Sequence, residues 1–256
     1  MENNSYSGNL YFVGSADVLD FQNFRFDEAR QIIEFDFYCD ESNSGWYGWD
    51  EGAATRADAH SYITKYFSPY EDSKAQARLY FEPATFRFLS NDEGRQFLHV
   101  NGTWLQGGSK KRMFHGLLEC KGVRHAQCHA QQKMNPTRNF AYSGDVYFVG
   151  SKDVLNVRSF HFQEYLELMR IDFSLHISKS ESYSREVDAT KSGGCVYTTK
   201  KFELYGEPVP TVQFVFDPRE LRFLADTSGR QHLYLRGSWY EGEDEHPWRI
   251  RGLLRA

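Results

Sequence analysis

The chain has 256 residues, with 30 Lys and Arg against 35 Asp and Glu, which gives a formal net charge of -5. This balance excludes a polybasic nucleic-acid binder, and the 40% of hydrophobic residues excludes a disordered chain because they supply a buried core. The 16% of aromatic residues favours strands over helices, since planar side chains pack well on a pleated surface.

The first element of the chain occurs twice. Residues 7–15 return as residues 143–151, and fifteen of the 31 positions in 7–37 are identical at an offset of 136. The offset falls to 135 in the middle of each copy and returns to 136 near its end, so one residue is lost in between. A period this long indicates duplicated domains rather than a solenoid. The sequence therefore predicts a tandem duplication of a β domain of about 112 residues, over 7–118 and 143–254, packed about a pseudo-twofold axis.

Each copy is predicted to be antiparallel β structure. Apolar and polar residues alternate over 33–40 and over 169–177, which is typical of strands with one buried face. Further along, the glycine-ended segments 91–94 and 226–229 separate pairs of short strands and predict hairpins. Short strands at this spacing indicate a β-barrel or β-sandwich of about eight strands per copy, and the sequence does not decide between them.

The polar faces of the alternating strands carry the first candidate ligand-binding residues, Asp36, Asp172 and His176. In one interpretation they project into a barrel lumen, where the carboxylates act in acid–base chemistry or anchor a ligand. In the other, the carboxylates are solvated or paired with Arg87 and Arg222. The sequence favours the second interpretation, because surface pairing is the commoner use of such residues.

The largest difference between the copies lies at 45–51, Gly-Trp-Tyr-Gly-Trp-Asp-Glu, where the second copy has Glu-Ser-Tyr-Ser-Arg at 181–185. Its glycines predict a loop. Large aromatic side chains in a loop must cover a core edge, stack on a ligand or meet a partner. Trp46, Tyr47 and Trp49 are therefore predicted to be ligand-binding residues, with coverage of the core as the alternative.

Both copies end with a glycine followed two positions later by a tryptophan, Gly102 with Trp104 and Gly237 with Trp239, and both tryptophans are predicted to be buried. These segments resemble the Gly-x-Trp strand of the calycins, the lipocalin and avidin barrels. The motif lies near the end of each copy, whereas calycins carry it on the first strand, so the resemblance requires a circular permutation. It implies a tandem barrel that binds small hydrophobic ligands or has cyclase or isomerase activity.

The connector, 119–142, is polar and basic, and its helix-forming residues predict a short linker helix. Its basic residues suit an anion, although a solvated connector is the simpler interpretation. It also contains four residues of types that bind zinc, but their spacing lacks the paired knuckle of zinc sites, so no metal is predicted. These are Cys120, His125, Cys128 and His129.

The sequence has no nucleotide-binding or hydrolase motif, and no cofactor is predicted. It has neither a leader sequence nor an apolar run of membrane-spanning length, so a cytoplasmic protein without membrane contact is expected. The leading hypothesis is a monomeric, non-catalytic protein that binds a small hydrophobic or aromatic molecule, or a protein partner, in a barrel mouth or interdomain cleft. The alternatives are a cofactor-independent enzyme with strand-face Asp, His and Tyr residues, and an inhibitor or immunity-type interaction module.

Overall fold

A computed structural model of the chain describes residues 4–41, 45–68, 76–107, 110–121, 140–163, 166–176, 182–192, 196–203, 211–242 and 247–256. These residues are almost entirely β structure, and the chain divides into two compact units, Met1–His129 and Ala130–Ala256. No helix within the described ranges is long and apolar enough to cross a bilayer.

The strands described in the first unit are β1 (Ser5–Phe12), β2 (Val18–Asp27), β3 (Ile32–Glu41), β4 (Gly45–Arg56), β5 (Tyr62–Thr64), β6 (Ala77–Phe81), β7 (Arg87–Ser90), β8 (Gln96–Gln106) and β9 (Lys110–Lys121). Strands β1 to β5 each pair with the next strand, β6 pairs with β8, β8 with β9, and β9 with β1. These eight strands form a closed antiparallel barrel. Strand β7 lies outside the circle and pairs with the first half of β8.

The strands described in the second unit are β10 (Tyr142–Phe148), β11 (Val154–Gln163), β12 (Leu168–His176), β13 (Ser182–Lys191), β14 (Tyr197–Thr199), β15 (Phe202–Glu203), β16 (Thr211–Phe216), β17 (Arg222–Asp226), β18 (Gln231–Glu241) and β19 (Trp248–Arg255). The barrel order is β10, β11, β12, β13, β14, β16, β18 and β19, and β19 pairs with β10. The all-β prediction is therefore confirmed, and the choice between barrel and sandwich is decided for the barrel. The predicted linker helix falls on 122–139, outside the described residues.

Strand formation follows from the alternation seen in the sequence. In β3, Ile33, Phe35, Phe37 and Cys39 are buried, whereas the residues between them face outward. The interior of an eight-stranded barrel is just wide enough for side chains to fill. Here aromatic rings fill it, because strand after strand contributes a buried phenylalanine to one continuous cluster in each unit.

Trp104 and Trp239 lie in these clusters, with exposed fractions of 0% and 2%. The Trp104 ring meets that of Phe67 edge to face, with ring centroids 5.2 Å apart, and Trp239 meets Phe214 in the same way at 4.9 Å. Such contacts stabilise a core beyond the area that they bury. The prediction that both tryptophans are buried is confirmed.

The predicted hairpins are also confirmed, and one side chain fixes each turn. In the β7–β8 turn, Asn91 Oδ1 accepts hydrogen bonds from the backbone N–H groups of Glu93 and Arg95. In the β17–β18 turn, Asp226 Oδ1 accepts them from the equivalent amides of Ser228 and Arg230. Both turns end in a glycine with positive φ, which a residue with a side chain adopts only with strain.

The prediction of a loop at 45–51 is wrong, because these residues form the first half of β4 and pair with β3. The aromatic residues favour an extended backbone, and the glycines that suggested a loop lie inside the ladder. Phe35 lies opposite Gly52 and Phe37 opposite Trp49, so the strand contains a β-bulge between these pairs. The equivalent β12–β13 pairing runs without a break, which places the length difference between the copies at this bulge.

Trp104→Ala or Trp239→Ala should lower the free energy of unfolding by about 3 to 5 kcal/mol, because each change leaves a cavity among rings that cannot collapse into it. Urea denaturation followed by circular dichroism measures the loss. Losses below about 1 kcal/mol would contradict a core role for these rings.

The Asp226 turn should give the second unit an acid-sensitive component of stability. Burial opposes ionisation of Asp226, but hydrogen bonds from Ser228, Arg230 and His232 outweigh it and lower its pKa from 3.8 to about 2. A lowered pKa stabilises the fold above 3.8, and this stabilisation is lost as the pH falls towards 2. Asp226→Asn keeps the acceptor, as Asn91 does, and should reduce the dependence of urea stability on pH in this range. An unchanged dependence would contradict the assignment.

Candidate functional site

The predicted strand-face carboxylates lie on the outer faces of the barrels. Asp36 stands between the buried Phe35 and Phe37, and its Oδ2 accepts a hydrogen bond of 2.6 Å from the side chain of Asn23. The lumen interpretation of Asp36 therefore has no support in the geometry.

Asp172 is likewise on an outer face, between buried neighbours of β12, and forms an ion pair with Arg158. The expected pairing with Arg222 is wrong, because the Arg222 guanidinium turns back to the carbonyl oxygen of Leu221. His176 is the last residue of β12 and pairs in register with Val154, but its side chain lies outside the described part.

The polar groups described inside the barrels serve the fold. Leu79 N–H donates to the hydroxyl of Thr64 over 3.0 Å, and Phe214 N–H donates to that of Thr199 over 2.9 Å. Both hydroxyls are buried and take the place of a backbone acceptor where β5 and β14 end. Among the described atoms, one interior donor without a hydrogen-bond partner is the Nε1 of Trp104.

Near these threonines, part of one strand in the wall of each barrel has a strand partner on one side only among the described residues. Strand β4 pairs with β3 along its length but with β5 only over Ala54–Arg56. Within the described residues, 45–53 therefore has a strand partner on one side only. Behind this opening the ring of Phe67, with an exposed fraction of 7%, closes the interior.

The predicted aromatic residues lie on this single-sided part of β4. Trp46 pairs in register with Asp40, Tyr47 with Cys39 and Trp49 with Phe37, and their side chains lie outside the described part. In the second unit, Ser182, Tyr183 and Arg185 occupy the equivalent register positions. At these three positions the first unit therefore differs from the second in its two tryptophans. The equivalent of Trp49, Arg185, lies over the ring of Phe202 and donates to the carbonyl oxygen of Glu203.

A second surface, which the sequence did not single out, lies on the outer side of β6, β8 and β9. Arg78, Leu105 and Lys111 form one row across these strands, and Tyr80, Thr103 and Met113 form the next. Tyr66, just after β5, covers Arg78, and its exposed fraction is 51%. We call these residues, without Thr103, the Arg78 face.

The Arg78 guanidinium stacks on the Tyr66 ring, with its central carbon 3.4 Å from the ring centroid. Its Nε is buried and has no hydrogen-bond partner among the described residues. None of the ion pairs found in the described ranges includes Arg78. A planar guanidinium held in place by a ring is suited to binding a carboxylate or phosphate.

The second unit uses the same positions differently. The equivalent of Arg78 is Gln213, whose side-chain amide donates to the carbonyl oxygen of Thr199 over 2.7 Å. Tyr66 corresponds to Lys201, and Met113, which is 56% exposed, corresponds to Arg249. Comparison of the two copies at these offsets would have found the Arg78 face.

The connector offers little to describe. Cys120 lies on β9, and burial raises the pKa of its thiol. His125, Cys128 and His129 lie outside the described residues. Across the described ranges no group of His, Cys, Asp and Glu side chains is arranged to hold a metal ion.

The fold defines the protein as a pair of antiparallel eight-stranded β-barrel units. No protein-family model matches the sequence, and a search of curated proteins finds no match. A similar solved structure is a "putative outer membrane protein" from Bacteroides fragilis, which is 8% identical over 99% of this chain and 96% of that chain. Its TM-score is 0.24, and the likeness carries no argument about this chain.

Asp172→Asn should lower the free energy of unfolding by less than about 1 kcal/mol, because exposed ion pairs contribute little to stability. Asp36→Asn is the matched change in the first unit and should behave alike. Urea denaturation at neutral pH measures both. A loss of several kcal/mol for either variant would contradict its placement on an outer face.

Proposed function

We propose that this protein is a non-catalytic binding protein and that the outer surface of its first barrel recognises a protein partner. The proposal takes the protein to be a cytoplasmic monomer, as the sequence predicts. It extends the leading sequence hypothesis and moves the recognition site from a barrel mouth to the barrel wall.

The observation that carries the proposal is the contrast between two barrels of the same strand order. Trp46 and Trp49 in the first unit correspond to Ser182 and Arg185 in the second, and Tyr66 and Met113 correspond to Lys201 and Arg249. Tyr66 and Met113 are exposed, and apolar side chains outside a core are typical of protein-interaction surfaces. Since the second barrel forms without them, they are not required by the fold.

The edge of β4 adds a backbone component to this surface. Its single-sided stretch has amide and carbonyl groups that no described strand pairs with, and such edges bind extended segments by strand addition. Edge pairing and neighbouring apolar side chains together suit a partner with an extended segment.

The other hypotheses receive less support from the geometry. A small hydrophobic ligand in a barrel lumen competes with rings that already fill it. An enzyme that uses strand-face carboxylates inside a barrel lumen is not favoured, because Asp36 and Asp172 each lie on the outer face of their own barrel. An inhibitor or immunity-type module is one form of the protein-binding function proposed here.

The double change Trp46→Ser and Trp49→Arg gives β4 the residues of β13, so the melting temperature should change by no more than a few degrees. The partner should be lost, because aromatic residues at the centre of an interface contribute 2 kcal/mol or more, which is about 30-fold in affinity. Tagged full-length protein is used to capture partners from an extract of its source cells, and each captured protein is purified and titrated by calorimetry.

Trp248→Ser is the matched control, since it removes an exposed tryptophan from the second unit. Equal binding by wild type, the double variant and the control would contradict recognition through β4. A stoichiometric small molecule in native mass spectra, retained without any protein partner, would favour the ligand-binding alternative.

A further inference from the structure

We infer that the Arg78 face binds an acidic, extended peptide segment that also carries an apolar side chain. This inference rests on the proposed function and names the chemistry of the segment that the first barrel recognises. It concerns the outer side of β6, β8 and β9 and does not depend on the tryptophans of β4.

The fold holds the Arg78 guanidinium in one orientation. The Tyr66 ring holds one face of the group, and the buried Nε shows that the stack excludes solvent there. A guanidinium costs side-chain entropy to hold in one orientation, and here the fold already holds it. A carboxylate that accepts two parallel hydrogen bonds from it is therefore bound by a favourable charge interaction and in a favourable geometry.

The Arg78 face carries two positive charges. Lys111 lies in the same row as Arg78, one strand beyond Leu105, and it is exposed. The two rows of the Arg78 face contain no acidic residue, so the cations have no partner within it. An anionic group is attracted to this face although the whole chain carries a net charge of -5.

The spacing of side chains on β6 suits an extended peptide. Arg78 and Tyr80 are two positions apart on one face of β6, a separation of about 6.6 Å for extended backbone. Alternate side chains of a bound extended peptide have the same separation. One acidic side chain at the Arg78 row thus places the next side chain of its face at the partly buried Tyr80 and the exposed Met113.

The second unit supplies the comparison. Gln213 replaces Arg78 and is used by the fold, since it donates to Thr199. The equivalent of Met113, Arg249, donates to the hydroxyl of Ser238. Among the described residues Arg78 makes no such hydrogen bond, and this contrast supports a role for its guanidinium in binding a segment from outside the chain.

The test uses a fluorescent eight-residue peptide, Glu-Ser-Leu-Ser-Glu-Ser-Leu-Ser, which presents Glu and Leu on one extended face and Ser on the other. Anisotropy titrations with the full chain should show saturable binding, and replacement of both Glu residues by Lys should abolish it. Arg78→Gln should weaken binding at least tenfold with an unchanged melting temperature, because Gln213 shows that glutamine fits this position.

Arg95→Gln is the matched control, since it removes the same charge from an exposed arginine that pairs with Glu93 in the β7–β8 turn. Equal weakening by Arg78→Gln and Arg95→Gln, or no saturable binding of the Glu peptide, would overturn the inference. Tighter binding of an eight-residue oligothymidylate that Arg78→Gln abolishes would assign the face to nucleic acid and overturn it as well. If the β4 double variant keeps both the captured partner and this peptide, the β4 proposal fails while the Arg78 inference stands.

Discussion

An eight-stranded barrel must fill an interior only as wide as a few side chains, and in this protein aromatic rings meet that constraint. Trp104 contacts rings from β1, β3 and the segment after β5, and Trp239 has equivalent contacts in the second unit. Because one large ring touches several strands, it fixes the distance between opposite walls. The strands can then differ in length without loss of the barrel.

The filled interior explains why the described residues 45–53 of β4 can have a strand partner on one side only. The ladder between β5 and β6 ends at Thr64, whose hydroxyl accepts the next amide, and Phe67 closes the gap from within. Contacts among rings thus stabilise the wall where β4 has no second strand partner among the described residues. A strand edge therefore lies beside a filled core, and in the proposed function a partner adds to this edge without unfolding the barrel.

The features that the two copies share were predicted correctly from the sequence, whereas features that differ between the copies were missed. The alternation in β3 and β12, the two hairpins and the buried tryptophans depend on local pattern or burial, and each is confirmed. The interpretation of 45–51 as a loop was wrong. Its glycines were read as turn residues, but the pairing with β3 outweighs their preference for turns. Asp172 and Arg158 are fourteen residues apart and meet only because β11 and β12 pair, so the register decided their contact.

The Arg78 face was missed for a related reason. Its members come from three strands and from the segment just after β5, and no local motif joins them. Only the register of β6, β8 and β9 brings them into two rows. The difference between Arg78 and Gln213 is visible in the sequence, but its meaning depends on the Thr199 carbonyl that Gln213 reaches.

The closing pairs of the two barrels have a consequence for the order in which the chain folds. Strand β1 pairs with β9, and Ser5 lies opposite Lys121 at the other end of the unit's sequence. Contacts between distant positions form slowly, because the loop between them must first be ordered. During synthesis β1 therefore has an open edge until β9 leaves the ribosome, and β10 waits in the same way for β19. Each nascent barrel is a half-open sheet for most of its translation, and in that interval the polar outer faces and their ion pairs protect it from edge-to-edge association.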